Sequence, residues 1–176
     1  MITNALGVSP VFINSKLLAA QERKRWYWCN WDVNQPDDLG IKFRSVIQPP
    51  GEVDDIFYYG EKSIAYMERG NDKWMQAGSR RADRYTQTAE KEKSFTLTAN
   101  FYKGVPYNYF QDENGRYRKL TVVECCRLQD VPEDYFKVSS NGQAYKMLGN
   151  GWNVDTIAQA AALESASESG TPFCET

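Results

Sequence analysis

Histidine is absent from this chain of 176 residues, and its four cysteines form no Cys-x-x-Cys pair. A structural zinc site draws its ligands from closely spaced cysteines and histidines, so these two absences argue against one. The cysteines (Cys29, Cys125, Cys126 and Cys174) also make no evident disulfide framework. We therefore expect a reduced, cytoplasmic protein.

Long apolar runs are missing as well. No run approaches the roughly 20 residues that cross a bilayer, so no membrane partner is expected. The N-terminal MITNALGVSPV lacks a basic start followed by an apolar stretch, so no secretion signal is visible. Hydrophobic residues at 41% and charged residues at 25% indicate one or two globular domains with a buried core.

Charge is unevenly distributed along the chain. Its formal net charge is −2, yet residues 73–119 contain ten Lys or Arg and five Asp or Glu. Such a basic segment in an acidic chain has two explanations. It faces phosphates, or it is a solvated loop surface; charge alone favours the second.

The first half of the chain predicts few regular elements. Residues 8–14 are β-branched and apolar, which favours a strand. Ser15 has the propensity to cap a helix over 16–25, although the aromatic run 25–31 favours a following strand. Residues 61–69 are helix formers closed by Gly70. Residues 70–93 are polar without periodicity, which indicates a long loop.

The second half has sharper signals. Phe95, Leu97, Ala99 and Phe101 alternate with polar residues, which predicts a half-buried strand, and 107–111 predicts another. Asn114-Gly115 is a hairpin turn signal. Thr121 with Glu124 forms a capping box for a helix running toward Pro132. A further helix spans 141–149.

The last helix is predicted from its cap and its periodicity. Asn153 caps it, and Val154, Ile157, Ala158 and Ala161 are spaced to share one face. The tail from residue 164 is low in apolar content, and we expect it to fray.

Three separated blocks carry a family resemblance. They are Gln21-x-Arg23-x-Arg25, the run RKLTVVECCRLQ at 118–129, and Gly149-Asn150-Gly151 before the last helix. Alone, each block is weak, and the first is equally consistent with a solvated basic loop. Their order and spacing resemble the C-terminal part of the DNA (cytosine-5) methyltransferases. The second block looks like the family's structural support for its target-recognition domain.

The resemblance implies a role in DNA methylation, such as that of restriction–modification systems. Family members extrude the target cytosine, attack it with a cysteine thiolate and transfer a methyl group from S-adenosylmethionine. By analogy, Arg25 contacts the flipped cytosine, Arg23 grips the adjacent phosphate and Gln21 orients the loop. A guanidinium at the ring would stabilise the charge that develops during attack.

The third block resembles the turn that closes the cofactor pocket. The implied contacts to S-adenosylmethionine come from Asn150 and its neighbours Gly149, Gly151, Trp152 and Val154. A turn that opens a helix also lets backbone N–H groups approach a polar ligand. Without the other blocks, the same residues would be a simple helix–helix corner.

Residues 31–117 fall where the family keeps its target-recognition domain. The resemblance there assigns phosphate contact to Thr96 or Thr98, and base or backbone contact to Asn100, Tyr102 and Lys103. Alternatively, Thr96 and Thr98 are only the solvent face of a strand. The basic residues Arg80, Arg81 and Arg84 are further candidates for phosphate contact.

The family's catalytic blocks are absent from the sequence. No proline is followed by cysteine, no Gly-rich cofactor turn occurs, and Glu113-Asn114 is followed by Gly115 where a valine is needed. We interpret Cys125 and Cys126 as packing residues. The nucleophile and most of the cofactor pocket would therefore lie on a second polypeptide that carries the N-terminal methyltransferase motifs.

The expected fold class is α+β. It combines an edge fragment of a Rossmann-like α/β methyltransferase sheet, a β-rich target-recognition domain and C-terminal helices. The boundaries are 1–30 for the catalytic-domain piece, 31–117 for recognition, 118–163 for the structural and cofactor-closing motifs, and 164–176 for a flexible tail.

Two functions follow from these observations. The chain is one part of a methyltransferase that binds double-stranded DNA, flips cytosine and shares an S-adenosylmethionine pocket. The alternative is a non-catalytic DNA-binding remnant of a truncated methyltransferase. Retained Gln21, Arg23, Arg25 and Asn150 argue mildly for the first.

The missing Pro-Cys block generates the first prediction. The purified chain alone should transfer no methyl group to DNA, because no residue is placed to supply the thiolate. Incubation with tritiated S-adenosylmethionine and mixed-sequence duplex DNA measures this. Incorporation above a protein-free blank would contradict the interpretation.

Overall fold

A computed structural model describes residues 2–76 and 87–168. The helices in these ranges are α1 (Ile2–Leu6), α2 (Glu61–Gln76), α3 (Val122–Leu128), α4 (Asn141–Asn150) and α5 (Val154–Glu168). The strands are β1 (Pro10–Asn14), β2 (Lys24–Trp28), β3 (Gln87–Thr88), β4 (Phe110–Gln111) and β5 (Tyr117–Arg118). This mixture of helix and sheet agrees with the expected α+β class. In the described part of the chain, no helix is both long and apolar enough to cross a membrane.

An antiparallel hairpin of β1 and β2 forms the N-terminal part. The strand predicted at 8–14 is confirmed, and Phe12 pairs across the hairpin with Trp26. Their ring centroids lie 5.1 Å apart in an edge-on arrangement, yet the two residues stay 40% and 58% exposed. The hairpin therefore presents an aromatic face to solvent.

The helix predicted over 16–25 is wrong. A single 3-10 turn, Ser15–Leu17, stands in its place, and its cap is Asn14 rather than Ser15. The Asn14 side chain accepts hydrogen bonds from the backbone N–H groups of Lys16 and Arg23. These bonds hold the connection between the strands in a tight turn, which overrides helix propensity.

We expected a β-rich segment at 31–117, but its described residues, 31–76 and 87–117, contain only short strands. Its described strands, β3 and β4, have two residues each; β3 pairs in parallel with β4, and β4 pairs antiparallel with β5. Helix α2 runs through Gly70 to Gln76, so the closure at Gly70 and the loop beginning at residue 70 were wrong. The hairpin turn at Asn114-Gly115 is confirmed, with Gly115 at φ 77°.

The alternating segment 95–101 forms no ladder strand. It has no regular secondary structure from Phe95 to Thr98, and a 3-10 helix, Ala99–Lys103, follows. Leu97 and Phe101 are buried as the alternation indicated. The backbone instead bonds to residues of the N-terminal hairpin connection, as in the bonds of Ser94 to Ala20 and Glu22.

One core joins the middle of the chain to the C-terminal helices. Its buried members include Phe43, Leu97, Phe101, Phe110, Leu120, Cys125, Cys126, Leu128, Tyr145 and Leu148. Cys125 and Cys126 have no exposed surface, in keeping with packing residues. Burial raises the pKa of the Cys126 thiol to about 11 and that of Cys125 well above its usual value, so neither is a ready nucleophile.

The helix caps at the C-terminal end follow the sequence signals. Thr121 and Glu124 form the predicted capping box at α3, which ends at Leu128 instead of continuing toward Pro132. Asn153 caps α5 by accepting a hydrogen bond from the Thr156 N–H at 3.0 Å. These caps are local, so sequence spacing specifies them.

The predicted inner face of α5 is wrong. Thr156 and Ala160 are buried, whereas Val154, Ala158 and Ala161 are exposed. The Thr156 hydroxyl donates to Ser15 Oγ at 2.9 Å, which turns a polar residue inward. The helix continues to Glu168, so the tail does not fray at 164; residues 169–176 lie outside the described ranges.

A buried ion pair links β5 to α3. Two Arg118 nitrogens donate to the two Glu124 carboxylate oxygens at 2.7 and 2.8 Å, and neither side chain is exposed. Glu124 also accepts from the N–H groups of Gln48 and Thr121. The Arg118 guanidinium lies 4.7 Å from the centroid of the Phe110 ring. The pair therefore ties the middle segment to the first C-terminal helix.

Removing one partner should be costly. Arg118→Leu leaves Glu124 buried without its cation, and we expect a loss of about 3–5 kcal/mol in the free energy of unfolding. Arg116→Leu is the matched control, because its pair with Asp55 is exposed at 3.5 Å and worth about 0–1 kcal/mol. Urea denaturation measures both. Equal losses would contradict a special role for the buried pair.

Candidate nucleic-acid and cofactor site

Gln21 lies at a junction of three chain segments. Its side chain is fully buried, and its Oε1 accepts a hydrogen bond from the Leu97 N–H at 3.0 Å. Its Nε2 donates to the Leu128 carbonyl at 2.6 Å and to Gln129 Oε1 at 2.9 Å. Gln129 Nε2 in turn donates to the Leu148 carbonyl. The first block, the 95–98 segment and the two C-terminal blocks therefore meet here.

Arg23 extends this junction. It is 3% exposed, and its guanidinium donates to the carbonyls of Leu97 at 2.9 Å, Gly149 at 3.2 Å and Gly151 at 2.6 Å. Burial lowers the pKa of Arg23 to about 10, helped by the nearby positive charge of Arg25. The group stays protonated at neutral pH and is held by carbonyl oxygens.

This geometry changes the role expected for Arg23. A guanidinium that is buried and bonded to three backbone carbonyls does not face a phosphate. The expected phosphate grip would require Arg23 to leave those bonds and to strand the carbonyls of Leu97, Gly149 and Gly151. Its place in the structure is that of a residue that positions its neighbours.

Arg25 has the opposite environment. Its side chain is exposed, and one guanidinium nitrogen donates a hydrogen bond to the carbonyl of Lys24 at 2.6 Å. Arg25 is the second residue of β2, two positions after Arg23, and it lies open to solvent. It is the member of the first block that can reach a ligand without disturbing the core.

The turn after α4 divides into a structural part and an open part. Gly149 is buried, and a Cβ built on it would lie 2.2 Å from the Thr98 carbonyl carbon and 2.4 Å from the Ala99 nitrogen. Glycine is thus needed for close packing, and the expected cofactor contact of Gly149 is occupied by backbone. Asn150 is exposed, as is Trp152 at 67%.

A groove of about 370 Å³ lies beside this turn. Gly151, Trp152 and Val154, three of the expected cofactor residues, line it. Apolar side chains, among them Val131 and Met147, make most of the remaining wall. One carboxylate borders it: Asp130, whose Oδ2 accepts from Asn153 Nδ2 at 2.6 Å and whose pKa burial raises to about 6.

The expected recognition residues surround a second cavity of about 570 Å³. Thr96, Thr98 and Asn100 line it, together with Phe95 and Tyr107. The Thr96 hydroxyl donates to the Glu22 carbonyl, so exposed Thr98 is the threonine left free for a phosphate. Tyr102 and Lys103 lie exposed on the 3-10 helix that follows. Arg80, Arg81 and Arg84 lie outside the described residues.

Sequence reasoning missed two contributors to these sites. Gln129 completes the amide pair with Gln21, and Tyr107 borders the recognition cavity. Gln129 belongs to the second block, which we interpreted only as a support. A buried amide partner for Gln21 had no separate sequence signal, because the two residues are 108 positions apart.

Comparisons with known proteins agree on one group. The family model described as C-5 cytosine-specific DNA methylase matches residues 54–163. The type II methyltransferase M1.ScrFI of Lactococcus lactis subsp. cremoris is 38% identical over 68 residues. That alignment covers 39% of this chain and 18% of the relative.

Solved structures share the fold at low identity. The Entamoeba histolytica methyltransferase EhMeth has a TM-score of 0.67 at 12% identity, covering 94% of this chain and 57% of that one. The S. pombe Dnmt2 methyltransferase has a TM-score of 0.63 at 15% identity, covering 95% and 60%. The chain thus spans little more than half the length of these methyltransferases.

Gly149 provides a test of how the site is assembled. Gly149→Ala should force α4 away from Thr98 and lower the free energy of unfolding by about 1–3 kcal/mol. Gly142→Ala on the same helix meets no atom within 4 Å and should be neutral, or stabilising by up to about 1 kcal/mol. Urea unfolding distinguishes the two. A harmless Gly149→Ala would mean that the close approach is not required.

Proposed function

Because this chain belongs to the C-5 cytosine-specific DNA methylase family, we propose that it supplies target-DNA recognition, flipped-cytosine binding and one wall of the S-adenosylmethionine pocket. The observation that carries the proposal is the junction of Gln21 and Arg23. Their side chains bind backbone of the recognition segment at Leu97 and of the C-terminal turn at Gly149 and Gly151. In this proposal, the segments for DNA recognition, cytosine binding and cofactor binding are therefore adjacent.

Within this proposal the two arginines divide the work. Arg25 contacts the extruded cytosine, since its guanidinium is exposed and its one described bond is to a neighbouring carbonyl. Arg23 does not touch DNA but positions the strand that carries Arg25. Gln21 has the same positioning role two residues before Arg23.

DNA recognition falls to the rim of the larger cavity. Thr98 and Asn100 line it and Tyr102 and Lys103 follow directly, so hydroxyl, amide and ammonium donors are available to phosphates and base edges. Thr96 is excluded from this role by its bond to Glu22. A duplex whose target base is extruded is the substrate that these groups fit.

The groove at Trp152 fits one side of S-adenosylmethionine. Its wall is largely apolar and carries an exposed indole, which suits the flat adenine ring, and Asp130 offers one carboxylate. Gly151, Trp152 and Val154 would hold the cofactor there, with Asn150 beside them. When bound, the cofactor supplies the methyl group.

The nucleophile is proposed to come from a second polypeptide with the N-terminal methyltransferase motifs. No cysteine of this sequence follows a proline, and Cys125 and Cys126 are buried. Phe12 and Trp26 leave an exposed aromatic face on the hairpin, and such a face suits burial against a neighbouring sheet.

A non-catalytic DNA-binding remnant is the second candidate. The hydrogen bonds of Gln21 and Arg23 favour this candidate, because packing alone would explain the presence of both residues. Packing does not explain Arg25 in the same way, because its side chain is exposed and donates to the neighbouring Lys24 carbonyl.

Co-expression with a chain bearing the Pro-Cys block tests the proposal. Site-specific methylation should appear, measured as protection from a cytosine-sensitive restriction enzyme. Arg25→Ala should then lower turnover about 100-fold with little change in DNA affinity, because its contact strengthens as charge develops on the ring. Arg69→Ala is the control, since Arg69 is also exposed and also bonded to one nearby carbonyl.

Arg23→Ala should behave differently from Arg25→Ala. It leaves the carbonyls of Leu97, Gly149 and Gly151 without their hydrogen-bond donor, so thermal stability should fall together with turnover. Equal effects of Arg25→Ala and Arg69→Ala would contradict the clamp. Absence of methylation in every co-expression would favour the remnant.

A further inference from the structure

Two lysines from distant parts of the chain converge on one tyrosine ring. The Lys146 Nζ of α4 lies 4.4 Å from the centroid of the Tyr102 ring. The Lys103 Nζ lies 5.8 Å from the same ring and 5.8 Å from that of Tyr107. All four side chains are exposed. Tyr107 also lines the recognition cavity, so this cluster of Tyr102, Lys103, Tyr107 and Lys146 borders it.

The backbone enforces this convergence. Lys146 and Gly149 are three residues apart on α4 and therefore neighbours on its surface. Gly149 abuts the backbone of Thr98 and Ala99, where a Cβ would lie within 2.4 Å of three backbone atoms. That contact fixes α4 against the 3-10 helix carrying Tyr102 and Lys103. The position of Lys146 beside them follows from packing rather than from a chance side-chain rotamer.

The cluster carries two positive charges, which favour the binding of an anion. Two ammonium groups share one ring, and among the described residues no carboxylate forms an ion pair with either lysine. An exposed cation–π contact is weak, on the order of 0.5–1 kcal/mol, so both ammonium groups are free to turn to a stronger partner. Like charges held together are stabilised when a polyanion neutralises them.

We propose that Lys146 is a DNA-backbone contact and that it grips, together with Lys103, phosphates of duplex DNA at the edge of the recognition cavity. Tyr102 holds the two ammonium groups in place and presents its hydroxyl to the same strand. Helix α4 would thus bind DNA through its exposed face while its C-terminal end packs the turn at Gly149. This inference rests on the proposed DNA-recognition function and adds to it an element outside the recognition segment.

The test measures binding of the full chain to a fluorescent duplex at a series of salt concentrations. Lys103→Gln and Lys146→Gln should each weaken binding, uniformly across DNA sequences, and each should reduce the slope of log affinity against log salt by about 0.9. Lys146→Arg should restore the slope, since a guanidinium also binds phosphate. Lys137→Gln, which removes an exposed lysine already paired with Asp134, should change neither.

The outcomes separate the two proposals. No salt-dependent binding by the unaltered chain would overturn DNA recognition itself. Binding in which Lys103→Gln lowers the slope and Lys146→Gln does not would overturn only the inference on α4. Tighter binding of an RNA duplex, with the same dependence on Lys146, would overturn the choice of DNA. Unchanged thermal unfolding of Lys146→Gln shows that a lost slope reports a lost contact.

Discussion

The buried guanidinium of Arg23 is the constraint on which the rest of the site depends. A buried charge is expensive unless its hydrogen-bonding capacity is met, and within residues 2–76 and 87–168 no carboxylate forms an ion pair with Arg23. Three backbone carbonyls do so instead, and they belong to Leu97, Gly149 and Gly151. Satisfying one cation therefore forces three segments, far apart in sequence, into a single arrangement.

Two features that look unrelated follow from that arrangement. Gly149 must approach the Thr98 backbone more closely than any side chain allows, so glycine is required there for packing. The backbone N–H and carbonyl of Leu97 are also hydrogen-bonded to the side chains of Gln21 and Arg23. These groups are therefore not available for pairing with a neighbouring strand, and the strand predicted from the alternating pattern at 95–101 does not form.

The range of each interaction decides what the sequence could predict. The capping box of Thr121 and Glu124, the cap at Asn153 and the Asn114-Gly115 turn are local, and all three were predicted correctly. The predictions of a helix after Ser15 and of the inner face of α5 were wrong, because both depend on contacts between residues that are not close in the sequence. Asn14 holds the backbone of Arg23, and Thr156 turns inward to Ser15. The family resemblance also did not predict the burial of Arg23.

Arg23 and Arg25 belong to one motif but have opposite environments. Arg23 lies just before β2, and Arg25 lies within the strand. Arg23 is 3% exposed and bonded to backbone, whereas Arg25 lies open to solvent. A long cationic side chain loses much conformational entropy when it is fixed. The backbone that carries it must therefore be rigid if its charged group is to meet a ligand at a defined place. The carbonyl bonds of Arg23 provide that rigidity two residues before Arg25. Spacing alone identifies the two arginines as a pair, and their burial distinguishes the one bonded to backbone carbonyls from the one open to solvent.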